Sequence, residues 1–458
     1  MNNIPRPYRV AIVGAGPAAM YAAEQLLEQR EFDMEIDLFE RLPTPWGLVR
    51  AGVAPDHPEK KLVVDRQFAF ILNRPQIRFF GNVEIGNHAR HSELAEWYDA
   101  LFYAIGADSD TRLGIPGENE LQGCWAAREF VAWYNGHPGY SHLDFDLSGK
   151  RAVIVGNGNV ALDVARILTL PIETLEKTDI ADYALAALRA SNIEEVVLLG
   201  RRGHLQGAFN NPELEELEHI PGVDIVVDAD DLPVANEVVM DGADWATKRK
   251  AKTLFRLARK PPTPGNKRIR FRFLSSPVEL LGDDRVTQVL VVSNHLVHDE
   301  NGRLQARVTE EEYLLDTGLV FRAIGYRGTP FPGLPFDDSH GVIENDKGRV
   351  VEHGKPVAGV YVTGWIKRGA KGVIGSNKKC ARETVSCFFE DIANDRIARS
   401  HFSREEIQAL LAARQPNLVD KGAWKKIDHH ERSAGRLQQR PRIKMTAIDE
   451  MLSVARNH

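Results

Sequence analysis

A chain of 458 residues, 43% hydrophobic and 27% charged, has enough apolar content for large buried cores and should divide into two or three domains. Its formal net charge of −6 argues against a nucleic-acid-binding protein, and no apolar run approaches the ~18 residues of a membrane span. The cysteines Cys124, Cys380 and Cys387 include no pair spaced C-x-x-C, which argues against disulfide exchange and against an iron–sulfur cluster within the chain.

The N-terminal stretch Met1 to Tyr8 has no apolar leader, so a cytoplasmic setting is expected. Val10 to Val13 reads as a short buried strand, followed by Gly14-Ala15-Gly16-Pro17-Ala18-Ala19 and an apolar helix from near Ala18. In such a strand-turn-helix unit the first glycine permits the tight turn and the second lets backbone approach a pyrophosphate. The small third position lets helix and strand pack closely. The pyrophosphate rests on the helix N-terminus, where unpaired N–H groups and the positive dipole end favour an anion. The next strand, Ile36 to Phe39, ends at Glu40, about 20 residues on, where a carboxylate accepts hydrogen bonds from ribose hydroxyls and repels a 2′-phosphate. Four prolines and two glycines between Arg41 and Pro58 predict a stiff extended loop rather than helix or strand. Asp99 to Ala107 reads as a buried strand, and Leu113 to Glu118 as a crossing out of the first unit.

The pattern then repeats. Val153 to Val155 leads into Gly156-Asn157-Gly158-Asn159-Val160-Ala161 and a helix from near Val160, and the strand Val196 to Leu199 ends in Gly200-Arg201-Arg202-Gly203. Two guanidinium groups stand where the first unit has its acid. Charge-assisted bonds to phosphate, worth about 1.5–3 kcal/mol each, suit a 2′-phosphate, so the first site reads as FAD and the second as NADP. Lys248 to Arg272 holds eleven basic residues and no acidic one, a block expected to steer an acidic electron carrier. Gly318 to Gly328 reads as a returning strand in which Ala323-Ile324-Gly325 repeats Ala104-Ile105-Gly106. The expected fold is α/β, with two Rossmann-like dinucleotide-binding domains in a glutathione-reductase-like arrangement. An NADP domain, 110–326, is inserted into a discontinuous FAD domain, 1–109 and 327–458.

Near the C-terminal end, Val360 to Gly375 is a β-run entering a glycine-punctuated loop. A helix follows with Ala381, Val385, Phe388 and Phe389 at helical spacing. Its start is expected to aim N–H groups at a flavin's pyrimidine edge, with Trp365 as a wall. His429-His430-Glu431 lacks partners at metal spacing and reads as surface. The tail from Ser403 holds a helical run, Glu405 to Leu411, and then charged segments.

In the segment Arg41 to Pro58, in Gly156 to Asp163, in Gly200 to Gly203 and in Gly364-Trp365-Ile366-Lys367-Arg368-Gly369, the chain resembles the adrenodoxin reductase-like ferredoxin–NADP reductases. The resemblance covers nearly the whole length. It implies that Ala18, Glu40, Leu48, Val83, Trp365, Gly372, Val373 and Ile374 contact FAD beside the fingerprint residues Gly14 and Gly16. It likewise implies that Asn157, Gly158, Asn159, Val160, Arg201, Arg202 and Glu213 contact NADP(H) beside Gly156, with Gly372 close to both. His57, Asp163 and Glu213 resemble family residues placed near the reacting rings. The implied activity is hydride transfer between NADPH and flavin N5, then single-electron transfer to a ferredoxin-type iron–sulfur protein. Two alternatives keep both folds: a flavin monooxygenase, and a nucleotide-sensing protein without turnover.

Overall fold

The computed structural model describes residues 6–228, 232 and 243–456. The first five residues of the stretch read as leader-free lie outside them. The chain divides into two compact units, one formed by Met1–Val53, His57–Ser109 and Tyr326–His458, the other by Ala54–Asp56 and Asp110–Gly325.

In the first unit the strand Tyr8–Val13 is central to a seven-stranded sheet. It pairs in parallel with Met34–Glu40 on one side and with Ala100–Tyr103 on the other. Ile77–Gly81 extends the first side and Lys355–Val362 the second, both parallel. Such strands are covered on both faces and read as continuous apolar runs; Val10, Ala11 and Ile12 are fully buried. The helices Pro17–Glu28 and Ser376–Ala393 pack against each other, so a segment from each end of the chain builds one layer.

The second unit repeats the plan in a six-stranded parallel sheet ordered Cys124–Ala126, Leu319–Arg322, Arg151–Val155, Glu195–Leu199, Lys267–Arg272, Val223–Val227. It also carries a three-stranded antiparallel sheet, Ser275–Leu281, Gln288–His298 and Leu304–Asp316, that the sequence analysis did not anticipate.

Three expectations need correction. The proline-rich segment is not extended throughout: Leu48–Ala51 and Pro58–Lys61 are helical turns. Residues 48–51 contain no proline to prevent coiling, and Pro58 occupies a first helical position, where its missing N–H costs nothing. The charged tail after Leu411 contains two further helices, Lys421–Leu437 and Ile448–Arg456. On the first of these Glu431 is fully buried rather than at the surface. Its carboxylate accepts hydrogen bonds from Arg50, Arg442 and the Met445 N–H, which compensates the burial of its charge.

Candidate functional site

In the first unit, Gly14 has φ +103°, and a Cβ there would stand 2.5 Å from the Ala104 carbonyl oxygen, so the turn accepts no side chain. Gly16 differs. A Cβ on it would reach only Gly47 Cα, at 3.9 Å, so its lack of a side chain leaves open the space into which a pyrophosphate would fit. Glu40 closes the turn from below: its carboxylate accepts from the N–H groups of Ala15 and Leu42, both at 3.1 Å. Burial pushes the Glu40 carboxyl above its ordinary range, against the lowering effect of those N–H groups and of Arg41.

The segment after Glu40 folds back over the fingerprint. Trp46, with φ +88°, donates its N–H to the Ala15 carbonyl at 2.9 Å, and a Cβ on Gly47 would lie 3.1 Å from Gly16 Cα. The helical turn that follows begins with Leu48, whose apolar side chain is 42% exposed. Val83 is buried, and its N–H donates to the Glu40 carbonyl at 2.9 Å.

The C-terminal glycine loop meets the same place. Gly364 has φ +80°, and a Cβ on it would stand 2.6 Å from the Ala18 Cβ. The Cys380 thiol backs this turn by accepting the Gly364 N–H at 3.3 Å. The chain coils into Trp365–Arg368 before the long helix, so the helix start beside Ala18 is that of the short turn rather than of Ser376–Ala393. Trp365 lies 5.7 Å from the Tyr326 ring. Beyond it Gly372 again has positive φ, Val373 is 59% exposed and Ile374 is half-buried. FAD fits these residues: there are two facing glycines, exposed apolar side chains at Leu48 and Val373, and indole Nε1 groups of Trp46 and Trp365 that are buried without a hydrogen-bond partner.

His57 is buried, and Lys60 Nζ donates to its Nδ1 at 3.0 Å. With Nδ1 accepting, a neutral ring carries its proton on Nε2.

The second unit repeats the logic with different chemistry. Gly156 has φ +126°, and a Cβ there would stand 2.4 Å from the Ala323 carbonyl oxygen. At Gly158 a Cβ would meet nothing within 4 Å, and its φ of −95° suits any residue; nothing inside the protein requires glycine there. The Asn157 carbonyl accepts the N–H groups of Ala208 and Phe209, at 3.1 and 3.0 Å. Asn159 Oδ1 accepts that of Asn210 at 2.9 Å. Val160 is half-buried in the first turn of the helix Asn159–Thr169. Arg201 and Arg202 are exposed and have no ion-pair partner among the described residues. A phosphate ester fits that pair.

Asp163, one helical turn before Arg166, belongs to an ion cluster. The buried Arg166 guanidinium pairs with Asp163 at 2.5 Å, Asp56 at 2.8 Å and Glu216 at 3.5 Å. Arg166 was missed by the sequence analysis, although its i,i+3 spacing from Asp163 is a readable signal. Glu213 sits half-buried in the first turn of Asn211–Glu216.

The block Lys248 to Arg272 is not the open cationic face its composition suggested. It forms the helix Trp245–Ala258 and the strand Lys267–Arg272, and most of its charge is spent inside the unit. Arg249 pairs with Glu215 and Arg256 with Glu218. Lys260 pairs with Glu218, Arg268 and Arg270 with Glu195, and Arg272 with Asp228. Lys250 and Lys267 donate to the carbonyls of Gly207 and Leu168. Lys248, Lys252 and Arg259 are exposed and have no ion-pair partner among the described residues.

Among the described residues the three cysteines are free, no group of His, Cys, Asp and Glu could hold a metal ion, and no helix is long and apolar enough to cross a membrane.

Residues 8–226 match the pyridine nucleotide-disulphide oxidoreductase family. NADPH-ferredoxin reductase FprA of Mycobacterium tuberculosis (strain ATCC 25618 / H37Rv) is 47% identical over 98% of this chain and 99% of its own length. The mitochondrial NADPH:adrenodoxin oxidoreductase of Arabidopsis thaliana is 41% identical, over 99% and 96%. A solved structure of Mycobacterium tuberculosis FprA in complex with NADPH has a TM-score of 0.94 at 46% identity, covering 99% of this chain and 100% of that one.

Proposed function

Because the chain belongs to the adrenodoxin reductase-like ferredoxin–NADP(+) reductases, we propose that it is an FAD-dependent oxidoreductase carrying electrons between NADPH and a ferredoxin-type iron–sulfur protein. The observation that carries this reading is a contrast. Two turns of the same geometry are followed by Glu40 in one unit and by the exposed pair Arg201 and Arg202 in the other.

Bound FAD supplies the exchange of a hydride for single electrons. The chain supplies placement and electrostatics. Gly14, Gly16 and Ala18 present the N-terminus of Pro17–Glu28 to the FAD pyrophosphate. Glu40 keeps the turn closed through Ala15 and accepts the ribose hydroxyls. Leu48, Val83, Val373 and Ile374 furnish apolar cover, while Trp365 and Gly372 shape the loop against the ring system. Gly156, Asn157, Gly158, Asn159 and Val160 present the second helix start to NADPH. Arg201 and Arg202 grip the 2′-phosphate, so the same charge that binds NADPH leaves NADH without its anchor. Asp163 and Glu213 orient the nicotinamide end, with Asp163 held by Arg166. His57, in contact with Lys60 through Nδ1, orders the end of the proline-rich segment.

On this reading residues 110–326 are the NADP-binding domain, inserted into an FAD-binding domain made of 1–109 and 327–458. Free Cys124, Cys380 and Cys387 are in keeping with a reducing compartment, and we assign the protein to the cytoplasm. Anaerobic stopped-flow absorbance tests the function directly. Rapid bleaching of the oxidised flavin band by NADPH, far ahead of NADH, is expected. A yellow protein that NADPH fails to bleach would reject the reductase.

A further inference from the structure

The arginine pair occupies a turn that does not hold itself. Gly200, Arg201 and Arg202 follow the strand Glu195–Leu199, and all three of their carbonyls are taken by groups from outside the turn. The support comes from the antiparallel sheet. The Gly200 carbonyl accepts the Ser275 N–H at 3.0 Å, and the Arg202 carbonyl accepts the Leu274 N–H at 3.1 Å. The carbonyl of Arg201, between them, is taken by a side chain: Asn294 Nδ2 donates to it at 3.0 Å.

Asn294 lies in the middle strand, Gln288–His298, where the pairing with Leu304–Asp316 shifts register between Val292 and Asn294. Bulges of this kind re-aim a side chain. The residue is 6% exposed, its Nδ2 also donates to Ser276 Oγ at 2.8 Å, and its N–H donates to the Leu274 carbonyl at 2.6 Å. Leu274 itself has φ +50°, a left-handed conformation that is unfavourable for a leucine. One residue thus ties both points together, its backbone N–H holding the strained residue that bonds Arg202 and its side chain holding the carbonyl of Arg201.

We propose that Asn294 is a specificity-determining positioning residue: by holding the Arg201 carbonyl it sets the direction of both guanidinium groups, and so the preference for a 2′-phosphorylated nucleotide. The inference rests on the assignment of Arg201 and Arg202 to the 2′-phosphate. Asn294 touches no part of the nucleotide on this view. Its removal should therefore weaken the grip on the 2′-phosphate while leaving the grip on the rest of the ADP moiety.

The test uses the FAD-loaded protein and two probes that differ only at the 2′ position, 2′,5′-ADP and 5′-AMP, with binding measured by calorimetry. Asn294→Leu removes the donor at similar volume. Asn294→Ser, smaller and polar, serves if the leucine variant does not fold, and Asn294→Gln keeps an amide. The expected result is a five- to tenfold loss of 2′,5′-ADP affinity, about what one hydrogen bond supports, with 5′-AMP within about twofold and partial recovery in Asn294→Gln. Equal loss for both probes, or none for either, overturns the role of Asn294. Replacing Arg201 and Arg202 by alanine separates the two levels. If that double variant binds 2′,5′-ADP as well as before, the phosphate assignment itself has failed, and the proposal with it. If the double variant loses it and the Asn294 variants do not, only the proposal has failed.

Discussion

Glu431, on the tail helix Lys421–Leu437, accepts both terminal nitrogens of the Arg50 guanidinium, at 2.8 and 2.5 Å, and Arg50 lies in the helical turn that Leu48 begins. Arg442 completes the group at 3.0 Å, and Lys444 Nζ donates to the Arg50 carbonyl at 3.1 Å. A segment more than 380 residues away in sequence therefore anchors the turn proposed to cover the flavin.

Breaking this group should be costly. Burial opposes ionisation of Glu431, but Arg50, Arg442 and the Met445 N–H outweigh it and hold its carboxyl below the ordinary carboxylate range. A depressed folded-state pKa gives stability that is fully present above the unfolded pKa of ~4.3 and lost as pH falls through the folded value. Glu431→Gln leaves the half-buried Arg50 guanidinium without its counter-charge, while Arg442 keeps Asp428 at 2.9 Å, and a loss of about 3 kcal/mol at pH 7 is expected. Thermal melting against pH checks it: the variant should melt lower near neutrality and show a shallower acid limb. An unchanged melting temperature at pH 7 would remove the group from the stability of the fold.

The two glycines of the second fingerprint should respond oppositely. Gly156→Ala places a Cβ 2.4 Å from a carbonyl oxygen at a φ of +126°, so a stability loss of about 1–3 kcal/mol or more is expected. Gly158→Ala meets nothing within 4 Å. It should melt as the parent does while losing NADPH affinity at least tenfold. A Gly158→Ala protein that binds NADPH normally would show that the pyrophosphate lies elsewhere.

Replacing Arg201 and Arg202 together by alanine should cost about 3 kcal/mol or more of NADPH binding at low salt and spare NADH. The ratio of kcat/KM for the two nucleotides measures it, and the NADPH advantage should shrink with added salt in the parent but not in the variant. Equal losses for both nucleotides would contradict the 2′-phosphate assignment.

If an acidic ferredoxin docks on the helix Trp245–Ala258, the charges free to attract it are Lys248 and Lys252, with Arg259 at its C-terminal end. Changing these three to glutamine should slow ferredoxin reduction several-fold at low ionic strength and flatten its salt dependence, with ferricyanide reduction nearly intact. Arg249 and Arg256 are poor choices for such a test, because each is engaged with a carboxylate, Glu215 or Glu218, and changing it would disturb that pairing as well as the surface charge. A triple variant with parental ferredoxin kinetics would place docking on another surface.

What could be read from the sequence is what the backbone demands locally. Gly14 and Gly156 are required by a turn within their own strand-turn-helix unit, and Glu40 and Arg201 stand at the end of the strand that follows each unit, so the local pattern exposed them. Features built from distant segments left no such trace. Glu195, Glu215, Glu218 and Asp228 neutralise the basic block from outside its sequence, so its composition overstated its field. Glu431 looked like a surface acid because its partners Arg50 and Arg442 are joined to it only by the fold. Asn294 is one polar residue in a strand, and nothing near it in sequence points to Arg201.

The order of strands in the first unit bears on how the chain is made. Ala100–Tyr103 pairs with Tyr8–Val13 on one edge and with Lys355–Val362 on the other. During synthesis that second edge emerges bare and stays so until Lys355–Val362, which lies beyond the whole of the other unit, has left the ribosome. All six strands of the nucleotide sheet in the other unit lie between Cys124 and Arg322, so that unit can close while the first still waits. A bare parallel edge invites mispairing. Birth of this protein therefore proceeds from its middle outward, and a nascent chain whose emerged part reaches Gly325 would carry one finished half and one that still needs a chaperone's protection.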